Sequence, residues 1–296
     1  MVDLSIIIIN YNTPGLAQAC LESIIKQTKN LDYEMIVVDN GSTKKIKSSK
    51  AKIIESKVNL GFAGANNCGI REARGKYLLF LNSDTLIHDN LLKEMVNWME
   101  VHPKVGVASC ALKNPDGTQQ GTGGYFPTLL RVFSWMTIQD IPGVDIIIKP
   151  FHPMKSKSFA KGTGLYKKAR ELDWVMGAFA LVRRQALEQV GGFDEEYHMY
   201  TEEVDLFYRI KQKGWQIWYL PAWNITHIGA ASSTAEFPIL QEYKGIKRFY
   251  KKFYPKWQYP ILRLLLRIGA LGRIVLFGIL EGRRSAKIYV KAFREA

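Results

Sequence analysis

The sequence predicts an α/β protein with a mostly parallel central sheet, helices on both faces, and a helical segment at the carboxyl end. Three observations predict it. Unbroken runs of Ile, Val and Leu alternate with helix-patterned stretches through the first half, as strands buried on both faces do. One run, Leu79–Thr85, reads LFLNSDT, an apolar strand passing straight into an Asn-Ser-Asp triplet. Open α/β sheets bind ligands at that carboxyl edge. The positive charge is gathered late: residues 244–296 hold 14 Lys/Arg against 2 Asp/Glu, leaving 27 against 25 for residues 1–243 of a chain with net charge +14.

The elements follow in order. LSIIII (4–9) is a buried strand and residues 11–27 turn into a helix. EMIVVDN (34–40) and AKIIES (51–56) are the next strands, FAGANNCGIREAR (62–74) a helix, and KYLLFLN (76–82) the fourth strand. A helix over 90–101 and a strand near 105–110 complete the first half. From about 117 to 172 periodicity fails in a stretch rich in Gly, Pro and Lys with interleaved aromatics, read as an irregular acceptor-side region, part of it mobile without ligand. WVMGAFALVRR (174–184) resumes order. A helix capped by Thr201, strands at 216–220 and 223–228, and a helix over 239–253 come next. The predicted division is a catalytic domain over 1–243, split into a nucleotide half (1–116) and an acceptor half (117–243), and a basic tail over 244–296.

Composition excludes several classes. A nucleic-acid binder shows its basic residues as a stripe on the fold itself, whereas here the body is nearly neutral; an anionic membrane surface or lipid phosphate is the better partner for the tail. Cys20, Cys68 and Cys110 are odd in number and widely spaced, which fits a reducing cytoplasm rather than a disulfide framework or zinc ribbon. Leu4–Ile9, preceded by Asp3, is too short for a signal peptide. Residues 259–280 are long enough for a bilayer span, but Arg263, Arg267 and Arg273 lie inside, each costing roughly 2.5–3.5 kcal/mol at a bilayer centre. Leu264, Ile268, Leu271, Val275 and Ile279 form an amphipathic stripe, and Gly269, Gly272 and Gly278 are expected to break it into shorter helices. An interfacial helix flanked by Lys256, Arg283, Arg284 and Lys287 is the expectation; a core-packing helix pair is the alternative.

Asp39 ends the second strand in VVDNGS, where a carboxylate can accept the imide N–H of uracil or thymine; an Asx turn accounts for Asp-Asn-Gly as well. Gly61 and Gly64 sit at a strand-to-helix junction, where backbone amides can approach a diphosphate or simply make a tight turn. No Walker loop is present. Asp84 is the metal candidate, with Asn82 on the same side of the extended chain, since a hard divalent ion bridging two phosphates takes oxygen ligands. TEEVDL (201–206) places three carboxylates in four positions, which serves either the positive end of a helix or a general base. His227 follows a strand. Such a histidine is commonly structural, and becomes a ligand candidate only beside a diphosphate–metal site.

Taken in order, SIIIINYN, VVDNGS, NLGFAGANN, LFLNSD, WVMGAFALVRR, GGFDEEYHMYTEEVDL and THIG resemble the inverting family 2 glycosyltransferases with the A-type fold, in their bacterial rhamnosyltransferase-like branch; the similarity covers about residues 4–235. The resemblance implies a nucleotide-sugar site made of Asn10, Tyr11, Asn12, Asp39, Asn59, Gly61, Phe62, Asn66, Asn82 and Ser83, with Asp39 on the pyrimidine base. It implies Mg²⁺ or Mn²⁺ on Asp84 and His227, and an acceptor segment at Asp173, Trp174, Gly177 and Ala178. In that family the acid pair before x-Asp-Leu usually reads Glu-Asp, the second acid being the base. Here it reads Glu202-Glu203, which makes Glu203 the base, with Glu202 as its rival and Asp205 the third acid. The metal triplet departs from Asp-x-Asp in having Asn82 first.

The expected function is inverting, metal-dependent transfer of one sugar from a nucleoside-diphosphate sugar (dTDP-rhamnose or a UDP-sugar) to a hydroxyl of a polyprenyl-diphosphate-linked glycan. The expected place is the inner face of the plasma membrane, in cell-surface polysaccharide assembly, possible as a homodimer and without nucleic acid. No Q-x-x-R-W segment is present, which favours one sugar per encounter over polymerisation. A sugar nucleotidyltransferase or a non-catalytic membrane-bound glycan-binding module are the alternatives.

Overall fold

A computed structural model of the chain describes residues 2–139, 141, 143–151, 164–229 and 236–296. They group into two compact units that interleave along the sequence: 2–123, 164–198 and 202–229 form the first, and 124–139, 141, 143–151, 199–201 and 236–296 the second. Residues 152–163, in the middle of the irregular stretch, and 230–235, after His227, lie outside the described residues.

The first unit is built on nine strands: β1 (Leu4–Asn10), β2 (Tyr33–Asn40), β3 (Lys52–Ser56), β4 (Tyr77–Asn82), β5 (Thr85–Leu86), β6 (Val105–Lys113), β7 (Arg170–Glu171), β8 (Phe179–Arg183) and β9 (Gln216–His227). Their order is β3-β2-β1-β4-β8-β6-β9-β5, with β7 on β9. The helices α1 (Pro14–Gln27), α2 (Gly61–Glu72) and α3 (Leu91–Glu100) connect the early strands. Ile6, Ile7 and Ile8 are all fully buried, so both faces of β1 are covered and its unbroken apolar run is explained. Helix α1 opens on Pro14, whose missing N–H costs nothing in a first turn, and buries Ala17, Cys20, Leu21 and Ile24.

Parallel pairing puts Asn10 opposite Asp39 and Ile9 opposite Asn82, so β1, β2 and β4 end at one edge. Strand β8 runs antiparallel between β4 and β6, with Phe179 opposite Leu81. The sheet is therefore mixed at its centre. The two strands expected at 216–220 and 223–228 are one, β9. Its pairing with β6 shifts between Leu220 and Asn224, where Pro221 has no N–H to give the ladder. Beyond the shift β9 turns against β5, placing His227 opposite Thr85.

The second unit contains α4 (Leu129–Thr137), α6 (Glu236–Phe253), α7 (Gln258–Leu280) and α8 (Arg283–Glu295); α5 (Glu202–Gln212) belongs to the first. Helix α7 is continuous, contrary to the expected breaks. Gly269 is buried against Met136 of α4, where a Cβ would collide with the methionine side chain, so it serves close packing rather than termination. Arg273 donates to Trp135 O at 2.8 Å and lies over the Trp135 ring; Arg263 donates to Ala296 O at 2.8 Å, and Arg267 lies over Phe293. Arg263 and Arg273 are thus partly buried against neighbouring segments, while Arg267 stays exposed. The stripe Leu264, Ile268, Leu271, Val275 and Ile279 faces outward and is exposed along its whole length. No helix among the described residues is long and apolar enough to cross a membrane.

Candidate active site

The carboxyl edge of β1, β2 and β4 gathers most of the expected donor-side residues. Asp39 is fully buried. Its Oδ1 accepts from Asn10 Nδ2 at 3.2 Å, and Lys45 Nζ lies 3.3 Å from Oδ2. Ser42 Oγ accepts from the Asn12 amide and from Asn10 Nδ2, while Asn12 Oδ1 accepts from the Thr43 amide at 2.8 Å. Asn12 itself has a left-handed φ of 59°, a conformation asparagine tolerates, and it begins the turn that carries Tyr11 and Asn12 past the sheet edge.

The loop into α2 is held just as closely. Asn40 Nδ2 donates to Asn59 Oδ1 and to Gly61 O, Asn59 Oδ1 accepts from the Gly61 amide, and Asn66 Nδ2 donates to Phe62 O. Gly61 has φ 73° and packs against His198, whose carbonyl accepts from the Phe62 amide at 2.8 Å. Here glycine is needed for both the positive φ and the close approach. Asn59, Gly61, Phe62 and Asn66 thus form one hydrogen-bonded unit joined to the end of β2.

The Asn82-Ser83-Asp84 turn faces the end of β9. Asp84 Oδ1 is 3.4 Å from His227 Nε2, its Oδ2 accepts from the Gly229 amide at 3.0 Å, and Asn82 Nδ2 lies 3.3 Å from His227 Nε2. Ser83 Oγ meets Thr13 Oγ1 at 3.4 Å. Burial opposes ionisation of Asp84, but hydrogen bonding and charge from His227, with the Gly229 amide, hold its carboxyl below the usual range.

Gln120 completes this cluster, and sequence reasoning missed it. Its Nε2 donates to Asn114 Oδ1 and to His227 O, both at 2.7 Å, which fixes its amide; its Oε1 lies 2.8 Å from His227 Nδ1. An amide oxygen only accepts, so Nδ1 carries a ring proton and donates it to Gln120, and Nε2 is the ring atom turned to Asp84. A carboxylate oxygen and an imidazole nitrogen 3.4 Å apart are ligand types that suit a divalent cation. Among the described residues no group of three or more His, Cys, Asp or Glu forms a metal cluster. Asp84 and His227 are the side chains here that could hold a divalent ion, with Asn82 beside them.

The acceptor-side segment reaches the same edge. Ala178 O accepts from the Asn82 amide at 3.1 Å, and a Cβ on Gly177 would lie 3.0 Å from the Phe62 ring. Trp174 is buried. Asp173 pairs with Lys211 of α5 at 2.7 Å, and Lys211 also pairs with Glu171.

The three acids of α5 separate by environment. Asp205 is fully buried and accepts from Arg209 Nε at 2.6 Å; Arg209 further donates to Val190 O and Gly192 O. Through Arg209 that carboxylate is linked to the 190–192 turn. Glu202 is 4% exposed, and burial first, then the neighbouring Glu203 charge, pushes its carboxyl well above the usual range. Glu203 is half-buried. Thr201, expected to cap the helix, has φ 73° and follows Tyr200 at 68°, left-handed backbone rather than the extended form usual for a cap.

Strand ends that share one edge with an acidic turn and a histidine form the kind of place where α/β enzymes bind ligands. Residues 5–191 match the family model Glycosyl transferase family 2, and the chain belongs to that family. It is 26% identical over 285 residues to the N-acetylglucosaminyl-diphospho-decaprenol L-rhamnosyltransferase of Mycobacterium tuberculosis, covering 89% of each chain. It is 25% identical to the rhamnosyltransferase WbbL of Escherichia coli over 75% of this chain and 82% of that one. The family membership is thus rhamnosyltransferase-like. The crystal structure of GalNAc-T7 with UDP, GalNAc and Mn²⁺ matches with a TM-score of 0.63 at 15% identity, over 98% of this chain and 56% of that one. The fold is the A-type glycosyltransferase fold.

Proposed function

We propose that this chain transfers a single sugar, with inversion, from a nucleoside-diphosphate sugar such as dTDP-rhamnose or a UDP-sugar to a hydroxyl of a polyprenyl-diphosphate-linked glycan. The observation that carries the proposal is the convergence of Asp39, Asn82–Asp84, His227 and Gly177–Ala178 on one sheet edge. The names of the two rhamnosyltransferase relatives, one acting on a diphospho-decaprenol glycan, support the donor and acceptor classes.

In this reading Asp39 accepts from the pyrimidine imide, and the amides of the Gly61 loop face the diphosphate. Asp84 and His227 hold Mg²⁺ or Mn²⁺, which when bound offsets negative charge on the departing nucleoside diphosphate. Glu203 takes the proton of the acceptor hydroxyl. Glu202, whose carboxyl is pushed well above the usual range by burial and then by the Glu203 charge, is the less suited of the two to serve as the ionised base. Gly177 and Ala178 floor the acceptor, where any side chain at 177 would press on Phe62.

Residues 1–243 carry the chemistry and 244–296 bring it to the inner face of the membrane. The outward apolar stripe of α7, with Arg263 and Arg273 engaged by neighbouring residues of the same unit, is what supports this.

Glu203→Gln tests the proposal. The glutamine is close to isosteric but cannot take a proton, so release of nucleoside diphosphate in the presence of acceptor should fall by roughly 10²–10⁴-fold with donor binding within about twofold. Full transfer activity would remove Glu203 from the mechanism, and release of pyrophosphate would identify a nucleotidyltransferase instead.

A further inference from the structure

The second unit carries a basic groove that the transfer chemistry does not use. Its volume is about 420 Å³, and its wall is Lys244, Lys247, Arg248, Lys251 and Lys252 of α6 with Tyr259 of α7. The single acid lining it, Glu295 of α8, pairs with Lys247 at 2.8 Å, so five cations face one carboxylate. The spacing explains the clustering: 244/248, 247/251 and 248/252 are one turn apart on the same helix face, where like charges repel. The helix cannot rotate to relieve this, because Tyr243, Ile246, Phe249 and Tyr250 bury its other side. Tyr259 supports the cluster, with Lys251 Nζ 5.0 Å from the ring centre. Concave placement of such charge concentrates anions.

What lies beside the groove selects the anion. Tyr259 is in the first turn of α7, and the exposed apolar face of that helix starts there, with Trp257, Ile261 and Leu264, and runs on to Leu280. A ligand that suits both features has a compact, highly charged head and a long apolar tail. We propose that the groove binds the diphosphate of a membrane-embedded polyprenyl lipid, its tail entering the bilayer alongside α7. This rests on the reading of a lipid-linked acceptor above and assigns that acceptor's diphosphate to residues outside the sheet-edge site.

Vesicle flotation of the full chain tests it, comparing phosphatidylcholine vesicles that carry a polyprenyl diphosphate with vesicles brought to equal charge by phosphatidylglycerol. The wild type should favour the diphosphate vesicles by roughly tenfold. Lys244→Ala with Lys251→Ala should lose that preference while nucleoside-diphosphate binding is unchanged, and Lys244→Arg with Lys251→Arg should keep most of it. Millimolar inorganic pyrophosphate should leave the preference in place. Equal partition at matched charge, a preference that survives the alanine pair, or its abolition by inorganic pyrophosphate would each overturn the proposal, the last by making the groove a free-diphosphate site. Failure here with Glu203→Gln still inactive would sink only the groove assignment; an active Glu203→Gln would sink the catalytic reading whatever the vesicles showed.

Discussion

Replacing Gln120 by alanine should weaken divalent-metal binding without touching either proposed ligand. In the structure Gln120 Oε1 is the acceptor for His227 Nδ1 at 2.8 Å, and its Nε2 ties down His227 O at 2.7 Å. His227 is 6% exposed, so water replaces this partner poorly. A buried donor left unsatisfied costs about 1–3 kcal/mol, and loss of the group orienting a ligand histidine typically costs roughly 10–100-fold in metal affinity. The two figures agree, since 1.4 kcal/mol is about tenfold. Calorimetric titration of Mn²⁺ in the presence of the nucleoside diphosphate gives the affinity. Nitrogen-resolved NMR of the imidazole in metal-free protein gives the tautomer, a readout independent of turnover. The expected result is Mn²⁺ binding weaker by about tenfold or more, with the His227 proton no longer confined to Nδ1. Unchanged affinity together with an unchanged tautomer would refute the reasoning.

Three further outcomes are expected. Glu202 binds its proton more tightly folded than unfolded, so its contribution to stability is complete below the ordinary carboxylate range and declines as pH rises toward the raised value; Glu202→Gln should narrow the difference in thermal midpoint between about pH 5 and about pH 8, and an unaltered difference would contradict the burial argument. Arg209→Ala leaves Asp205 buried without its cation and should destabilise by about 3 kcal/mol in urea unfolding, more than Asp205→Asn, a ranking that a catalytic rather than positioning role for Asp205 would not produce. Leu264 and Val275 are 58% and 63% exposed, so burying the remainder of both in a membrane interface is worth about 2 kcal/mol, and Leu264→Glu with Val275→Glu should cut vesicle partition by roughly 30-fold; equal sedimentation of variant and wild type would return α7 to a purely structural role.

The parallel half of the sheet was legible because its strands are buried on both faces, so β1, β2 and β4 appear as apolar runs whose ends must share an edge. Asp39 and Asp84 were legible for the same reason: a carboxylate after such a run has nowhere else to lie. What local pattern could not show was pairing across long separations. The antiparallel entry of β8 between β4 and β6 leaves no periodicity signal, and Pro221 made one bulged strand look like two. Gln120 was hidden most completely. It lies in a stretch without repeat, and its partner is 107 residues away. The only trace is compositional, a pair of amides (Gln119, Gln120) just after the Asn114–Thr118 turn, which is no signal without the strand that brings His227 alongside.

Helix α7 shows why charge counting and charge placement differ. Three arginines in a span-length apolar segment argued against burial in lipid, and three glycines argued against a continuous helix. Both inferences treated the helix as isolated, where a glycine costs about 1 kcal/mol and an arginine must find water. Packed in its own unit, Gly269 admits Met136, and Arg273 finds a carbonyl, a sulfur and two aromatic faces on its inner side. Arg263 and Arg273 are engaged by tertiary contacts and Leu262, Leu266 and Ala270 are buried, while a second apolar stripe on the same helix is left facing out. An exposed stripe of that length is costly unless something apolar covers it. The cations of α6 and the exposed Arg283, Arg284 and Lys287 of α8 belong to the same unit, and the anionic bilayer of the proposed function would match both kinds of surface.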